Sequence, residues 1–199
     1  MGLWGSIRER LAVVRGALGG LSRSPSTRGS YSERKLTADE MAYADEVFSG
    51  TVPLDRVFVA NDVGLNDRPY TLPKRRPRDG YVVHLGAASF ADARSPTLVH
   101  ELTHVWQSAH RSSAWSYVLD SVGSQAWSWL RSRSTDGAYA YTVGQPWNRY
   151  GAEQQASIVE DWFEPTGWRT WDGRPPGDRD EADPRFRYIR DNIRAGRTS

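Results

Sequence analysis

The chemistry of this sequence gathers at His100, Glu101 and His104, within Ser95-Pro-Thr-Leu-Val-His-Glu-Leu-Thr-His-Val-Trp-Gln-Ser-Ala-His110. On a helix, residues four apart lie one turn above each other, so both imidazoles point the same way and can hold one Zn²⁺. Glu101 then stands beside the metal. A carboxylate there can take a proton from a zinc-bound water whose pKa the ion has lowered, and that water can attack a peptide carbonyl. The competing reading is a chance pattern of ordinary, partly buried histidines. Against it stand the uncharged variable positions, the apolar flanks, and the presence in the motif of two of the chain's four histidines.

The spacing predicts a helix around the motif. Ser95 suits an N-cap and Pro96 the first helical position, and Leu98, Val99, Leu102, Val105 and Trp106 recur at three- and four-residue intervals. A catalytic zinc takes three protein ligands and keeps one position for water, so a third ligand is required. His110 is one candidate, six residues past His104, where metzincins place a third histidine. That pattern needs a glycine where this chain has Gln107, and a methionine turn downstream, whereas the only methionines are Met1 and Met41. His110 also suits a helix end, with its donor facing the last carbonyls.

The second candidate is Glu153, in Tyr150-Gly-Ala-Glu-Gln-Gln-Ala-Ser157. This stretch resembles the gluzincins, in which a second helix supplies a glutamate, commonly within Glu-x-x-Ala. In that comparison Glu153 matches the ligand and Ala156 the small residue that lets two helices approach. Ser157 stands where many such enzymes carry an aspartate that orients a zinc histidine, so that support must come from elsewhere. Glu160, on the same helix face two turns on, is the fallback ligand.

His-Glu-Leu-Thr-His-Val-Trp-Gln, the aromatic-rich middle and Ala-Glu-Gln-Gln-Ala also resemble a narrower group. They are similar to bacterial zincin-like proteins termed Vgr-related and found with type VI secretion, and more distantly to the core domain of extracellular contractile injection systems. The resemblance spans roughly Leu36 to Phe163. It implies a bacterial source, a zincin fold and a role in secretion or toxin delivery, in the bacterial cytoplasm or exported by a specialised system. It supplies no cleavage specificity.

Residues 1–30 read as a separate amphipathic segment and linker, and 31–199 as the zincin-like domain. Trp4, Ile7, Leu11, Val14, Leu18 and Leu21 form a narrow helical stripe. Arg15 divides the best apolar run, Leu11 to Leu21, against the pattern of a signal peptide, and the stretch is too short and too charged for a membrane span; the expectation is docking to the domain, to a secretion-system partner or to a membrane surface. Gly19 to Ser30 reads as a flexible linker.

In the second unit, Thr37 and Glu40 predict a capping box for a helix over Leu36–Phe48 that ends at Gly50. Val57–Ala60 and Tyr81–Leu85 read as strands with a Pro- and Arg-rich loop between them. His84 is read as a strand residue rather than a ligand. Trp115–Leu130 and Ala152–Phe163 have helical spacing, and Pro165 stops the latter. Gly137–Gly151 reads as a loop with exposed aromatics and Trp168–Asp183 as irregular, and Asp183-Pro184 opens a last helix bearing Phe186, Ile189 and Ile193.

These elements predict an α+β fold in which a small sheet packs on the motif helix and the glutamate helix lies below the cleft. Tyr81–Leu85 is the expected strand edge for an extended peptide. Tyr139, Tyr141 and Tyr150 are candidates to steady the oxyanion.

Composition narrows the classes. At 199 residues, with 25% charged and 38% hydrophobic residues, the chain can bury a full core. Nine tryptophans and nine tyrosines are expected mainly in that core. A net charge of +2 does not indicate nucleic acid as a partner, and Lys74, Arg75, Arg76 and Arg78 fall in a Pro-rich loop. With no cysteine, metal ligands are limited to histidine and carboxylate. The expected activity is zinc-dependent peptide hydrolysis, and the alternative is a zinc-stabilised adaptor of a secretion apparatus without turnover.

Overall fold

The computed structural model describes residues 30–64, 67–74, 79–92, 95–110, 136–164 and 170–199. The amphipathic stripe of the first thirty residues, the Trp115–Leu130 helix, Pro165, and Arg75, Arg76 and Arg78 of the basic cluster lie outside them. The described residues form an α+β structure: β1 (Glu33–Lys35), α1 (Ala38–Phe48), β2 (Val57–Ala60), β3 (Tyr70–Pro73), β4 (Tyr81–His84), α2 (Gly86–Ala91), α3 (Pro96–His110), α4 (Ala152–Phe163) and a final helical segment, Phe186–Ile193. A single helical turn, Asp136–Tyr139, precedes α4. Among the described residues no helix is long and apolar enough to cross a membrane.

The expected capping box forms at α1. Thr37 Oγ1 accepts the Glu40 N–H at 3.2 Å, and Glu40 Oε2 accepts the Thr37 N–H at 2.7 Å. Glu40 is fully buried because Arg34 of β1 meets both its oxygens, at 2.6 and 2.8 Å. One acidic side chain thus caps the helix and pins it to the sheet edge. The helix ends where Ser49 and Gly50 turn left-handed, as the glycine predicted.

The sheet has the order β1-β2-β4-β3. β2 and β4 run parallel, with Val57 opposite Tyr81 and Ala60 opposite His84, and the outer pairs are antiparallel. Val57, Val59, Tyr81 and Val83 point into the core, the period-two pattern of a sheet with one covered face. The sequence reading missed β1 and β3. Neither carries the β-branched run that marked β2 and β4. This corrects the expected substrate edge: Tyr81–Leu85 is central and bonded on both sides, so β3 is the edge strand beside the motif helix. Gly80 opens β4 at φ +108°, where a Cβ would run into the Arg56 carbonyl oxygen, so only glycine fits.

α3 packs against β3 and β4 on one side and α4 on the other. Leu98 through Ser108 are all buried, so the helix is enclosed on every face rather than presenting a single apolar stripe. Its polar side chains need partners inside the protein. Trp106 closes the far end by donating from Nε1 to the Ile193 carbonyl at 3.0 Å. His110 Nδ1 meets the Trp106 carbonyl at 2.9 Å, the helix-end role expected of it.

The aromatics of 137–151 are a second correction. Tyr141, Trp147 and Tyr150 are buried, and Tyr150 and Tyr188 share a hydroxyl contact at 3.0 Å. Trp147 and Tyr150 pack the last helical segment against the body through Tyr188, a long-range contact that local spacing does not show. The segment 170–185 is irregular as expected and is held by the wholly buried Arg185, which pairs with Asp183 at 2.7 Å and donates to the Pro175 carbonyl at 2.6 Å. The final helix begins where Asp183 accepts the Arg185 and Phe186 N–H groups.

Gly80→Ala is expected to destabilise the protein by about 2 kcal/mol through backbone strain and collision at the β3–β4 hairpin. A shift in the urea midpoint at unchanged m-value would measure it.

Candidate functional site

α3 and α4 bring His100, His104 and Glu153 together with potential ligand atoms within 4.8 Å of one another, all three residues buried. The four-residue spacing sets the two rings one turn apart, 5.0 Å between centroids. Glu153, one residue inside the start of α4, reaches both: its Oε2 lies 3.4 Å from His100 Nε2 and 3.4 Å from His104 Nε2. Gln154 orders this helix start by accepting the Gly151 N–H at 3.0 Å, the half of a capping box available when the cap is glycine.

The other nitrogen of each ring is also held. His100 Nδ1 lies 2.8 Å from Glu160 Oε2. His104 Nδ1 lies 3.0 Å from Gln107 Oε1. The Gln107 amide nitrogen is spent on the Ala152 carbonyl and Gln155 Oε1, at 2.9 and 3.0 Å, so its oxygen is the atom that faces the ring. Both Nδ1 atoms therefore donate, and in the neutral rings both Nε2 atoms carry lone pairs aimed at the Glu153 carboxylate. Lone pairs converging on a carboxylate repel unless a cation lies among them.

A metal ion with bonds of about 2.0–2.1 Å in tetrahedral geometry sets its ligand atoms about 3.3 Å apart. The 3.4 Å separations match that edge. Two imidazoles and one carboxylate, with each imidazole's second nitrogen oriented from outside, form a donor set suited to such an ion. In the metal-free chain protons fill the role. Burial opposes charging of His100, but Glu160 and Glu153 outweigh it and hold its pKa well above the ordinary value. His104 is likewise raised, by Glu153 against burial. Burial works against the Glu153 carboxylate, yet His104 and His100 hold it well below the usual range.

Glu101 projects from the same helix toward β3. The Thr71 hydroxyl donates to its Oε2 at 2.7 Å, and among the described residues Oε1 meets no protein donor. Burial raises the Glu101 pKa, with the two histidines and Thr71 opposing. Raised proton affinity suits a group that accepts and returns a proton.

A cavity of about 810 Å³ opens onto this cluster. His100 and Glu101 form part of its wall, whereas His104 and Glu153 do not. Tyr139, Trp171, Arg68 and Glu160 line it as well. Of the cluster and its neighbouring carboxylate, His100 and Glu101 are the groups this cavity reaches.

The candidates now separate. Glu153 stands with the two histidines. Glu160 is on the opposite side of His100, as its orienting partner rather than the third of the group. His110 is at the helix end, against Trp106. Ser157 is fully buried and hydrogen-bonds to neither ring, so Glu160 and Gln107 supply what that position lacks. Gln107, which marked a departure from the metzincin pattern, holds His104. Tyr139 lines the cavity, with its ring 5.9 Å from that of His100. Tyr141 donates to Asp161 at 2.8 Å and Tyr150 packs on Tyr188, so neither serves the cavity. His84 pairs with Asp62 at 2.5 Å and stacks on Tyr70, away from the cluster. Thr71 and Arg68 were missed, and no local signal marks them, because their roles arise from where β3 docks.

Compared with described protein families, curated proteins and solved structures, the chain matches none.

The cluster makes the metal-free chain pH-sensitive in a defined direction. The raised histidines contribute stability present below about pH 6.5 and lost as pH rises through their folded values. The lowered Glu153 contributes stability present above about pH 4.5 and lost on acidification through its folded value. The combined contribution is therefore expected to be largest between these limits. Thermal melts of chelator-treated protein across pH should show this, and Glu153→Gln should remove the acid flank and reduce the alkaline one, since Glu160 still faces His100.

Proposed function

We propose that this chain is a zinc-dependent peptide hydrolase of the zincin type, with His100, His104 and Glu153 as metal ligands and Glu101 as general base. The observation that carries the reading is a buried three-ligand cluster, one of whose histidines, His100, borders the same cavity as the hydrogen-bonded carboxylate of Glu101. When bound, zinc supplies Lewis acidity that acidifies a water molecule and polarises a substrate carbonyl.

The remaining work falls to the chain's own groups. Glu101 takes the proton from the attacking water and later delivers it to the leaving amine. Thr71 occupies one carboxylate oxygen and fixes the side chain's direction, leaving Oε1 for that exchange. Glu160 and Gln107 hold the imidazoles in the tautomer that turns Nε2 inward. Tyr139, whose phenol burial pushes up to about 12, stays a neutral donor at working pH and would be the group that meets the oxygen on which charge develops. An extended substrate would pair with the outer edge of β3, next to Glu101 and the cavity.

The adaptor alternative explains the three ligands but gives Glu101 and its Thr71 contact no task. Association with a bacterial secretion or contractile injection apparatus, with residues 1–30 docking to a component of it, accompanies this proposal on the strength of the sequence resemblance.

Purified protein is expected to carry one zinc ion per chain, measured by mass spectrometry of metal content. Glu101→Gln should keep the ion and lose cleavage of a peptide library by at least about 1,000-fold, of the order of losing a catalytic group. Glu153→Ala should lose the ion. Wild-type cleavage unaffected by Glu101→Gln would defeat the proposal. Thr71→Val and Gln107→Ala should each weaken a different step: the first lowers kcat with zinc retained, and the second lowers zinc affinity by about 10- to 100-fold, read by competition with a chromogenic chelator.

A further inference from the structure

Arg68 precedes β3 and reaches the same cavity as Tyr139. Its Nη1 donates to the Tyr139 phenol oxygen at 3.0 Å, and its guanidinium carbon sits 5.4 Å from the ring centroid. A guanidinium has donors and no acceptor. The phenol therefore cannot return its proton to Arg68, and the O–H must turn elsewhere. The ring itself is restrained, stacked on Trp171 at 4.9 Å and 25°, with the His100 ring 5.9 Å away. Trp171, His100, Glu101 and Arg68 all border the one cavity, so the space beside the phenol is the space a substrate would fill.

We infer that Arg68 is a positioning residue: by occupying one lone pair of the Tyr139 oxygen it turns the phenol proton toward the carbonyl oxygen of a bound substrate and polarises that O–H. This rests on the hydrolase reading above and adds to it a residue whose part in the step is played through Tyr139. A charge-assisted bond to the oxygen of a donor strengthens the bond that donor makes in turn. Arg68 also lies three residues before Thr71, so one short stretch of chain steadies both the general base and the oxyanion donor.

The test is a double-mutant cycle on the full-length, zinc-loaded protein with a peptide that the wild type cleaves. Tyr139→Phe is expected to lower kcat about 100-fold, the scale of a lost oxyanion donor, with KM little changed. Arg68→Met should lower kcat by a smaller factor, again with little change in KM. If Arg68 acts through the phenol, the double variant should be no worse than Tyr139→Phe alone. A second readout needs no turnover: the Kd of a phosphinic peptide, whose tetrahedral group imitates the addition step, should weaken in the same pattern. Binding of the uncleaved peptide to Glu101→Gln protein should be indifferent to Arg68→Met. Should Arg68→Met lower the melting temperature, the cycle is read with Arg68→Gln instead, which is closer in shape and keeps a neutral donor.

Independent losses that multiply in the double variant would overturn the inference, as would wild-type kcat and phosphinate binding in Arg68→Met. Turnover that depends on Glu101 but ignores Arg68 removes this inference and leaves the hydrolase reading standing. A wild type that neither cleaves peptide nor binds the phosphinate overturns both.

Discussion

The structure depends on the electrostatics of three buried groups. Two imidazoles present Nε2 to a single carboxylate oxygen, each at 3.4 Å, in a place where solvent cannot supply protons or screening freely. Such an arrangement is stable only with positive charge inside it, whether protons on the rings or an ion among them. The neighbouring contacts follow from holding it in register. Glu160 and Gln107 fix the outer nitrogens, the Gln107 amide is fixed in turn by Ala152 and Gln155, and the packing of α3 on α4 brings both halves together.

Enclosing α3 on all sides is what makes this possible. A helix with one wet face would leave His100, Glu101 and His104 partly hydrated, weakening their mutual interactions. Here the sheet covers one flank and α4 the other. The polar side chains of the helix are consequently divided between the two neighbours: Glu101 turns to Thr71 on β3, and the histidines and Gln107 turn to α4. The cavity interrupts the enclosure at the N-terminal half of α3, where His100 and Glu101 reach its wall. Burial builds the cluster, and the gap in that burial gives access to it.

Periodicity revealed the parts of the fold in which a local rule and the tertiary environment agree. The Thr37–Glu40 box, the strands at Val57 and Tyr81, the motif helix and the span Ala152–Phe163 all follow from caps, breakers and spacing that the folded chain respects. The misses share one cause. β1 and β3 lack the β-branched run of β2 and β4, and what makes them strands is the partner each pairs with. Tyr141, Trp147 and Tyr150 were expected to be exposed, yet all three are buried, and Trp147 and Tyr150 pack on Tyr188 of the final helical segment. Tyr81–Leu85 looked like a usable edge because strand order is a property of the whole sheet.

For the candidate site, the sequence by itself limited which side chains could hold a metal and set part of their geometry. With no cysteine, only histidine and carboxylate remain, and a spacing of four on a helix places two imidazoles on one face whatever the rest of the chain does. It also singled out Glu153, through the likeness of its helix to glutamate helices of known enzymes. Tertiary structure alone decided that Glu160 orients His100 instead of joining the group, that Gln107 holds His104, that Thr71 holds Glu101, and that Tyr139 rather than Tyr141 or Tyr150 faces the cavity beside Arg68. The physical reason is one of range. Helical spacing acts within a turn or two and can be read from neighbours, whereas hydrogen bonds between helix, strand and loop depend on how separate elements dock, and docking is set by the shape of the packed core.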